Sequence, residues 1–550
     1  MANDTRLARA IFVTTLAVYL LSSGREPPWA DANVQYMAAE SMLRRHALDI
    51  PKPWPDDQSK DADGKWYSTY PLTTSLIQIP GLIVLGAATT ISPESGGLAK
   101  PLTSHLACSL FGAWACVLFF RLCRQRKLSQ KASSYATMII AFATTTWVYA
   151  HYSYSEIAQT AAFTGFVLNL LLFDDAPSKP HARWLGLFAG LLFSLKYIYA
   201  PGIACGVLLL VWRKRALKRE LVTYALHAAI VAAPFVISSM VYNYLCFGSP
   251  FTTGYSEYFA RHWGENPMTR LWAMFLSPGK SIFLYSPPLV LGFAALPRLW
   301  KRHRDACLIM LAAIVPVLLV YSRYKLNGDW SWGYRFCVFM TPTLGLAIAV
   351  LIDRWQEEPA RRYRRAILAV VVAAGIAVQL LGQSIYWDHF IRISEDVRIA
   401  WLGSPNRTGA IIPLRGDGRC DGCFEDVHQL EWLPPFQPIV GQWWLLRSVV
   451  ADDDAMQAEQ AAPWHRYTST PFSIKGGYDR ARIDWWGMLW IHDFPQSQTI
   501  GIILLLLMLA GTGAGIRLWL RAHRAAKDDA STDEPQASPH SPSADPSRAE

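Results

Sequence analysis

Asp31 and Glu156 are the two acidic residues best placed to do chemistry in this chain. Each stands in a short polar turn beside a long apolar run. A carboxylate at the edge of hydrocarbon can act as a general base toward a hydroxyl or help to hold a cation. Asp31 could equally cap the helix that follows it, and Glu156 could cap its own. Cations suited to an anionic group occur in the same kind of turn: Lys65, Lys280, Arg323 and Arg335. Arg grips phosphate through two parallel hydrogen bonds, whereas Lys acts as a point charge. The bland alternatives are a loop turn for Lys280 and pairing with loop acids such as Asp329 for the two arginines. Gly279-Lys280-Ser281 resembles the end of a nucleotide-binding loop, but Met274 stands where that loop needs its first glycine. Tyr67, Tyr70, Tyr285 and Trp332 cluster with these charges. Trp332, with Trp330, could stack on a sugar ring or belong to the aromatic belt, and Tyr67 and Tyr70 read as interfacial anchors. Lys196, within an apolar run, reads most simply as a snorkelling side chain.

The elements that must carry these residues are membrane helices. Of 550 residues, 52% are hydrophobic and only 17% are charged, well below the ~25% of ordinary soluble domains. Mean hydropathy is +0.15. The net charge of +10 is bunched in short clusters between apolar runs and no nucleic-acid motif is present, so nucleic acid is not the expected partner. Twenty-three Trp and 23 Tyr suit two membrane–water interfaces.

Spans are predicted near 8–24, 103–122, 134–152, 157–173, 184–199, 201–212, 221–242, 286–300, 306–322, 335–352, 364–386 and 498–519. The expected fold is therefore an all-α polytopic membrane protein of about 12 transmembrane helices, with re-entrant or juxtamembrane helices in long outer loops. The apolar segment 74–92 decides the topology. If it does not cross, the basic clusters around Arg124, Arg213, Arg302, Arg362 and Arg521 all face the cytoplasm with Arg6 and Arg9. We therefore assign 74–92 as re-entrant or surface-lying, with Pro80 and Gly81 breaking it. Segments 25–102, 243–285 and 387–497 then lie outside. Asp31 opens a surface helix running from Ala32 to Arg45. The opening segment lacks a small-residue cleavage site and is retained as an anchor. The polar tail is expected to be disordered and cytoplasmic. Seven cysteines read as buried hydrophobes. Cys420 and Cys423, in a polar stretch, could form a local disulfide or stay as two thiols.

Taken in order, several strings resemble the GT-C superfamily of membrane glycosyltransferases, which includes protein O-mannosyltransferases and the lipid A aminoarabinose transferase. They are Trp29-Ala-Asp31, Tyr67-Ser-Thr-Tyr70-Pro71, Tyr154-Ser-Glu156, Asn243 to Pro250 with Thr253-Gly-Tyr255, Leu276 to Lys280 with Leu284-Tyr285, and Trp330-Ser-Trp332-Gly-Tyr-Arg335. The resemblance covers residues 8–390 and, more loosely, 438–447. It implies that Asp31 is the catalytic base and that Glu156 helps to bind a metal or the acceptor. It also implies that Lys65, Lys280 and Arg335 hold a lipid phosphate, with Tyr67, Tyr70, Tyr285, Arg323 and Trp332 as further substrate-binding positions. The chain departs from the family where relatives often carry a cation inside the Tyr-Ser-x-Tyr string (Thr69 here), where Lys196 replaces Arg, and in the expected lack of a large C-terminal soluble domain.

The domain layout that follows is a GT-C-like catalytic core over 1–390, an extracytoplasmic region over 391–497, a last transmembrane helix over 498–522 and a tail over 523–550. The function implied is transfer of a sugar from a polyprenyl-phosphate donor to a hydroxyl of a lipid, glycan or protein acceptor. It would take place on the extracytoplasmic side of a bacterial inner or plasma membrane, with inversion. No cofactor is implied beyond a divalent metal ion that could assist at Glu156. A transporter or flippase for a lipid-linked substrate is the alternative, and a non-catalytic scaffold is a third reading.

Overall fold

The computed structural model describes residues 2–28, 30–52, 64–91, 96–256, 260, 263–324, 331–357, 362–391, 393–394, 432, 434–464 and 481–532. Cys420, Cys423, Asp329 and Trp330 lie outside the described residues.

In chain order the helices are α1 (Ala2–Leu21), α2 (Ala30–Glu40), α3 (Leu72–Leu76), α4 (Ile79–Ile91), α5 (Gly96–Gln125), α6 (Gln130–Phe142), α7 (Thr146–His151), α8 (Glu156–Asp175), α9 (Lys179–Leu195), α10 (Ala200–Arg213) and α11 (Lys218–Phe247). They continue with α12 (Pro267–Leu276), α13 (Ile282–Tyr285), α14 (Pro288–Arg302), α15 (Arg304–Ser322), α16 (Thr341–Glu357), α17 (Arg362–Ser384), α18 (Pro438–Ala451), α19 (Ala455–Gln460) and α20 (Gln498–Thr532). The strands β1 (Asp49–Ile50) and β2 (Trp66–Tyr67) pair antiparallel. Among the described residues, eight helical segments are long and apolar enough to cross a membrane, and one of these eight is Leu72–Thr90, the segment described below. The protein is an all-α polytopic integral membrane protein.

The bundle has two chemically different ends. At one end, ion pairs tie helix termini together. Arg124 Nε lies 3.0 Å from Asp4, Arg213 lies 2.8 Å from Asp174, and Arg302 lies 2.8 Å from Asp353. Asp353 also accepts from the Ser129 amide at 2.8 Å. This is the end that carries the basic clusters. Between the ends, small residues let backbones meet, as in lipid, where apolar burial gives helices no preference for one another. A Cβ on Gly202 would fall 2.3 Å from the Ala313 carbonyl, and one on Gly515 would fall 2.3 Å from Thr14 Oγ1.

Several predicted spans are interrupted. The 134–152 span stops at Phe142 and resumes as α7, with Thr144 Oγ1 donating to the Ile140 carbonyl at the break. The 335–352 span opens with a 3₁₀ segment, Arg335–Met340, before α16. The surface helix predicted over 32–45 is α-helical only to Glu40, then a π turn from Ser41 to Arg45. It ends at His46, whose φ is 53°.

Segment 74–92 is also broken, but not at Pro80. The break falls at Ile77 and Gln78, between α3 and α4. Pro80 sits in the first turn of α4, where its missing N–H leaves no bond unmade. Gly81 packs so closely on α5 that a Cβ would fall 2.1 Å from the Thr103 carbonyl. The chain re-enters α5 at Gly96, so α4 lies along only the first turns of that helix. The far end of α5 holds Arg124 and its Asp4 partner. Both ends of the segment therefore lie toward the end of the bundle opposite the basic clusters.

Candidate active site

Asp31, Tyr70, Glu156, Lys196 and Arg335 come from five different segments and meet at that opposite end. Arg335 is the hub. Its Nη1 lies 2.7 Å from Asp31 Oδ2, and its Nε lies 3.9 Å from Glu156 Oε1. Lys196 Nζ lies 3.8 Å from the same Glu156 oxygen. The Tyr70 hydroxyl hydrogen-bonds Asp31. Aromatic rings form the walls: Arg335 lies 5.6 Å from the Tyr154 ring centroid and 5.1 Å from that of Phe336. The Lys196 ammonium is 4.3 Å from the Phe336 ring. Such contacts attract a desolvated cation.

Local structure explains each placement. Asp31 lies within the first turn of α2, not before it, so it sits at the positive end of a helix dipole. The approach to α2 is clamped from far along the chain. Asp484, 2% exposed, accepts from the Arg25 amide at 2.7 Å, the Glu26 amide at 3.3 Å and the Tyr152 hydroxyl at 2.5 Å. Glu156 is the first residue of α8 and is 5% exposed. Its Oε2 has no hydrogen-bond partner among the described residues. Lys196 follows α9 in an extended conformation, φ −162°, which turns it out of the helix.

Arg335 is held by a braced loop. Gly333 takes φ +68°, a conformation that L side chains rarely adopt. The Lys280 ammonium donates to the Ser331 carbonyl at 2.6 Å, and the Tyr149 hydroxyl donates to the Trp332 carbonyl at 3.0 Å. Trp332, fully buried, stands edge-on to Tyr285 at 4.9 Å. The Tyr285 hydroxyl donates to the Gly279 carbonyl at 2.8 Å. Lys280, Tyr285 and Trp332 thus support the loop that presents Arg335, with their side chains buried in this conformation.

The other candidate residues are more scattered. Lys65 is exposed, and Tyr67 is buried on β2, edge-on to Phe247. Arg323 is half-buried, 5.9 Å from the Trp263 ring. Tyr255 joins the site through edge-on contact with Tyr70 at 5.8 Å. Sequence reasoning quoted Tyr255 and Tyr154 only within larger strings. It missed Asp484 altogether, because nothing in the local sequence links that residue to a turn at the opposite end of the chain.

Burial by itself raises the Asp31 carboxyl. The Arg335 guanidinium and the Tyr70 hydroxyl outweigh it, leaving the carboxyl below the ordinary 3.8. Glu156 faces two cations rather than further carboxylates. Among the described residues no three His, Cys, Asp or Glu side chains are grouped so as to hold a metal ion. Chemically, the cluster offers an ionised carboxylate, a second carboxylate with an unused oxygen, and two cations within reach of one anion.

No protein-family model matches the sequence, and no curated protein matches it. Among solved structures, the chain is similar to ArnT from Cupriavidus metallidurans in the apo state, with TM-score 0.44 and 14% identity, over 94% of this chain and 76% of that one. Against ArnT from the same organism bound to undecaprenyl phosphate, the TM-score is 0.43 and the identity 14%, over 96% and 78% of the two chains. Against the archaeal oligosaccharyltransferase AglB from Archaeoglobus fulgidus, in complex with an inhibitory peptide and a dolichol-phosphate, the TM-score is 0.41 and the identity 11%, over 74% and 58%.

Proposed function

We propose that the protein is an inverting membrane glycosyltransferase. It would transfer a sugar from a polyprenyl-phosphate donor to an acceptor hydroxyl on the extracytoplasmic side. The observation that supports this is the Asp31–Arg335–Glu156–Lys196 cluster, in which carboxylates and cations from distant segments share one aromatic-walled site.

In the proposed reaction the acceptor oxygen attacks the anomeric carbon as its proton passes to the Asp31 carboxylate. The bond from that carbon to the donor phosphate breaks, and the lipid phosphate leaves with the electron pair. Arg335 and Lys196 meet the charge that grows on it. One displacement with no covalent intermediate inverts the anomeric centre. Glu156 orients the acceptor through its unpartnered oxygen.

The ion pair between Asp31 and Arg335 gives the cycle an order. A carboxylate paired with arginine is a weak base. A donor phosphate competes for the same guanidinium, releases Asp31 and restores its basicity as the acceptor arrives.

The test is sugar release from a radiolabelled polyprenyl-phosphate donor by purified, reconstituted protein. Release that depends on the acceptor supports the proposal. Movement of intact donor across the vesicle with no release would replace it with a flippase.

A further inference from the structure

A second site stands at the other end of the bundle, on its lipid-facing side. Helix α17 packs closely against the end of α6, where a Cβ on Gly375 would fall 2.4 Å from the carbonyl of Ala143, the residue that caps α6. Toward the basic end they stand apart and leave a groove of about 470 Å³, inside the ~300–1,000 Å³ range of ligand sites. Its walls are apolar: Met138 and Phe142 of α6, Ile352 of α16, and Leu368 and Val372 of α17. The outer face of α17 is bare, with Val370 67% exposed, as suits a helix that faces lipid.

The mouth of the groove is cationic. Arg365 lines it directly. Gly375 closes the groove about 15 Å further along α17. Lys131 lies one turn before Tyr135 on α6, so the two share a face. Tyr135, which also lines the groove, contacts the rings of Trp519 and His523 at 5.9 and 6.4 Å. Neither Arg365 nor Lys131 has a carboxylate partner among the described residues, whereas Arg124, Arg213 and Arg302 at this end each have one.

An apolar slot about the depth of an acyl chain, open sideways to the bilayer and ending between two cations and an aromatic belt, matches one chemistry. We propose that this groove binds an anionic phospholipid from the leaflet at the basic end. One acyl chain would lie against Phe142 and Val372, and the headgroup phosphate would lie at Arg365 and Lys131. A zwitterionic lipid fills the slot equally well but brings an ammonium that opposes those cations. The site is separate from the Asp31 cluster and stands whether or not that cluster transfers sugar.

Native mass spectrometry of the full chain in detergent tests this, with phosphatidylglycerol or phosphatidylcholine of identical acyl chains added. Wild type is expected to retain phosphatidylglycerol roughly thirtyfold over phosphatidylcholine, about 1 kcal/mol for each of the two interfacial cations. Arg365→Gln, a change at an exposed position, is expected to lower that ratio to roughly fivefold, the share of Lys131 alone. Arg219→Gln, at an exposed site on α11, is expected to leave it unchanged. Ala369→Trp, which fills the groove from its exposed side, is expected to lower retention of both lipids. Equal retention by wild type, a loss in Arg219→Gln matching that in Arg365→Gln, or full retention in Ala369→Trp would overturn the proposal.

Discussion

Arg335 and Asp31 form a 2.7 Å ion pair although they belong to opposite halves of the chain. The pair gives the site both its charge balance and its sensitivity to substitution. A base and a phosphate ligand that neutralise each other at rest must part before either can act.

Asp31→Asn keeps the shape of the side chain and removes its capacity to accept the acceptor proton. Transfer is expected to fall roughly 10²–10⁴-fold, the usual share of a positioned base. Expression and monodispersity are expected to hold. Turnover of a labelled lipid-phosphate sugar by the purified variant measures this, and wild-type turnover would remove Asp31 from the mechanism.

Arg335→Gln tests the electrostatics. With Arg335 present, the Asp31 carboxyl lies below 3.8 despite its burial. The acid limb of the pH–rate profile for kcat/KM is therefore expected below the ordinary carboxylate range. Without the guanidinium, desolvation prevails and that limb is expected to move upward, while KM for the donor rises. A structural role alone would lower the amount of active protein without moving the limb. The same lowered value means that the stability contributed by Asp31 is present above its unfolded pKa and is lost as pH falls through the folded one.

Glu26 offers a pH test away from the reacting groups. Burial first, and then the charge of Asp484, raise its carboxyl from 4.5 to about 7. The folded chain thus holds this proton more tightly than the unfolded chain does. The stabilisation is complete below about pH 4.5 and is lost as pH climbs through about 7. Melting temperature is expected to decline across that window, and Glu26→Gln is expected to flatten this part of the decline. Identical profiles for wild type and variant would rule out Glu26 as the titrating group.

Gly333→Ala examines the brace behind Arg335. The new methyl would fall 2.7 Å from Tyr285 Cγ, at a residue with φ +68°. The backbone strain alone is about 1–2 kcal/mol, and the collision adds to it. A lower melting temperature and weaker donor binding are expected together, read by thermal unfolding and by KM. Unchanged KM would separate this loop from the phosphate site.

The amino-acid sequence by itself determined that this is a membrane protein of apolar helices, because the solvent of each segment is written in its composition. It also determined which end of the bundle carries the basic clusters, and it singled out Asp31, Glu156 and Arg335 as charges that hydrocarbon tolerates only with a partner. It could not say that Arg335 bridges both acids, or that Lys196 leaves its helix to join Glu156. Nor could it show that Lys280 and Trp332 are buried supports of a loop, or that Asp484 clamps the approach to Asp31. Those relationships were decided by tertiary structure alone. A charged side chain ends where its helix terminus, its backbone dihedrals and the packing of distant segments put it, and hydropathy and local spacing carry none of that information.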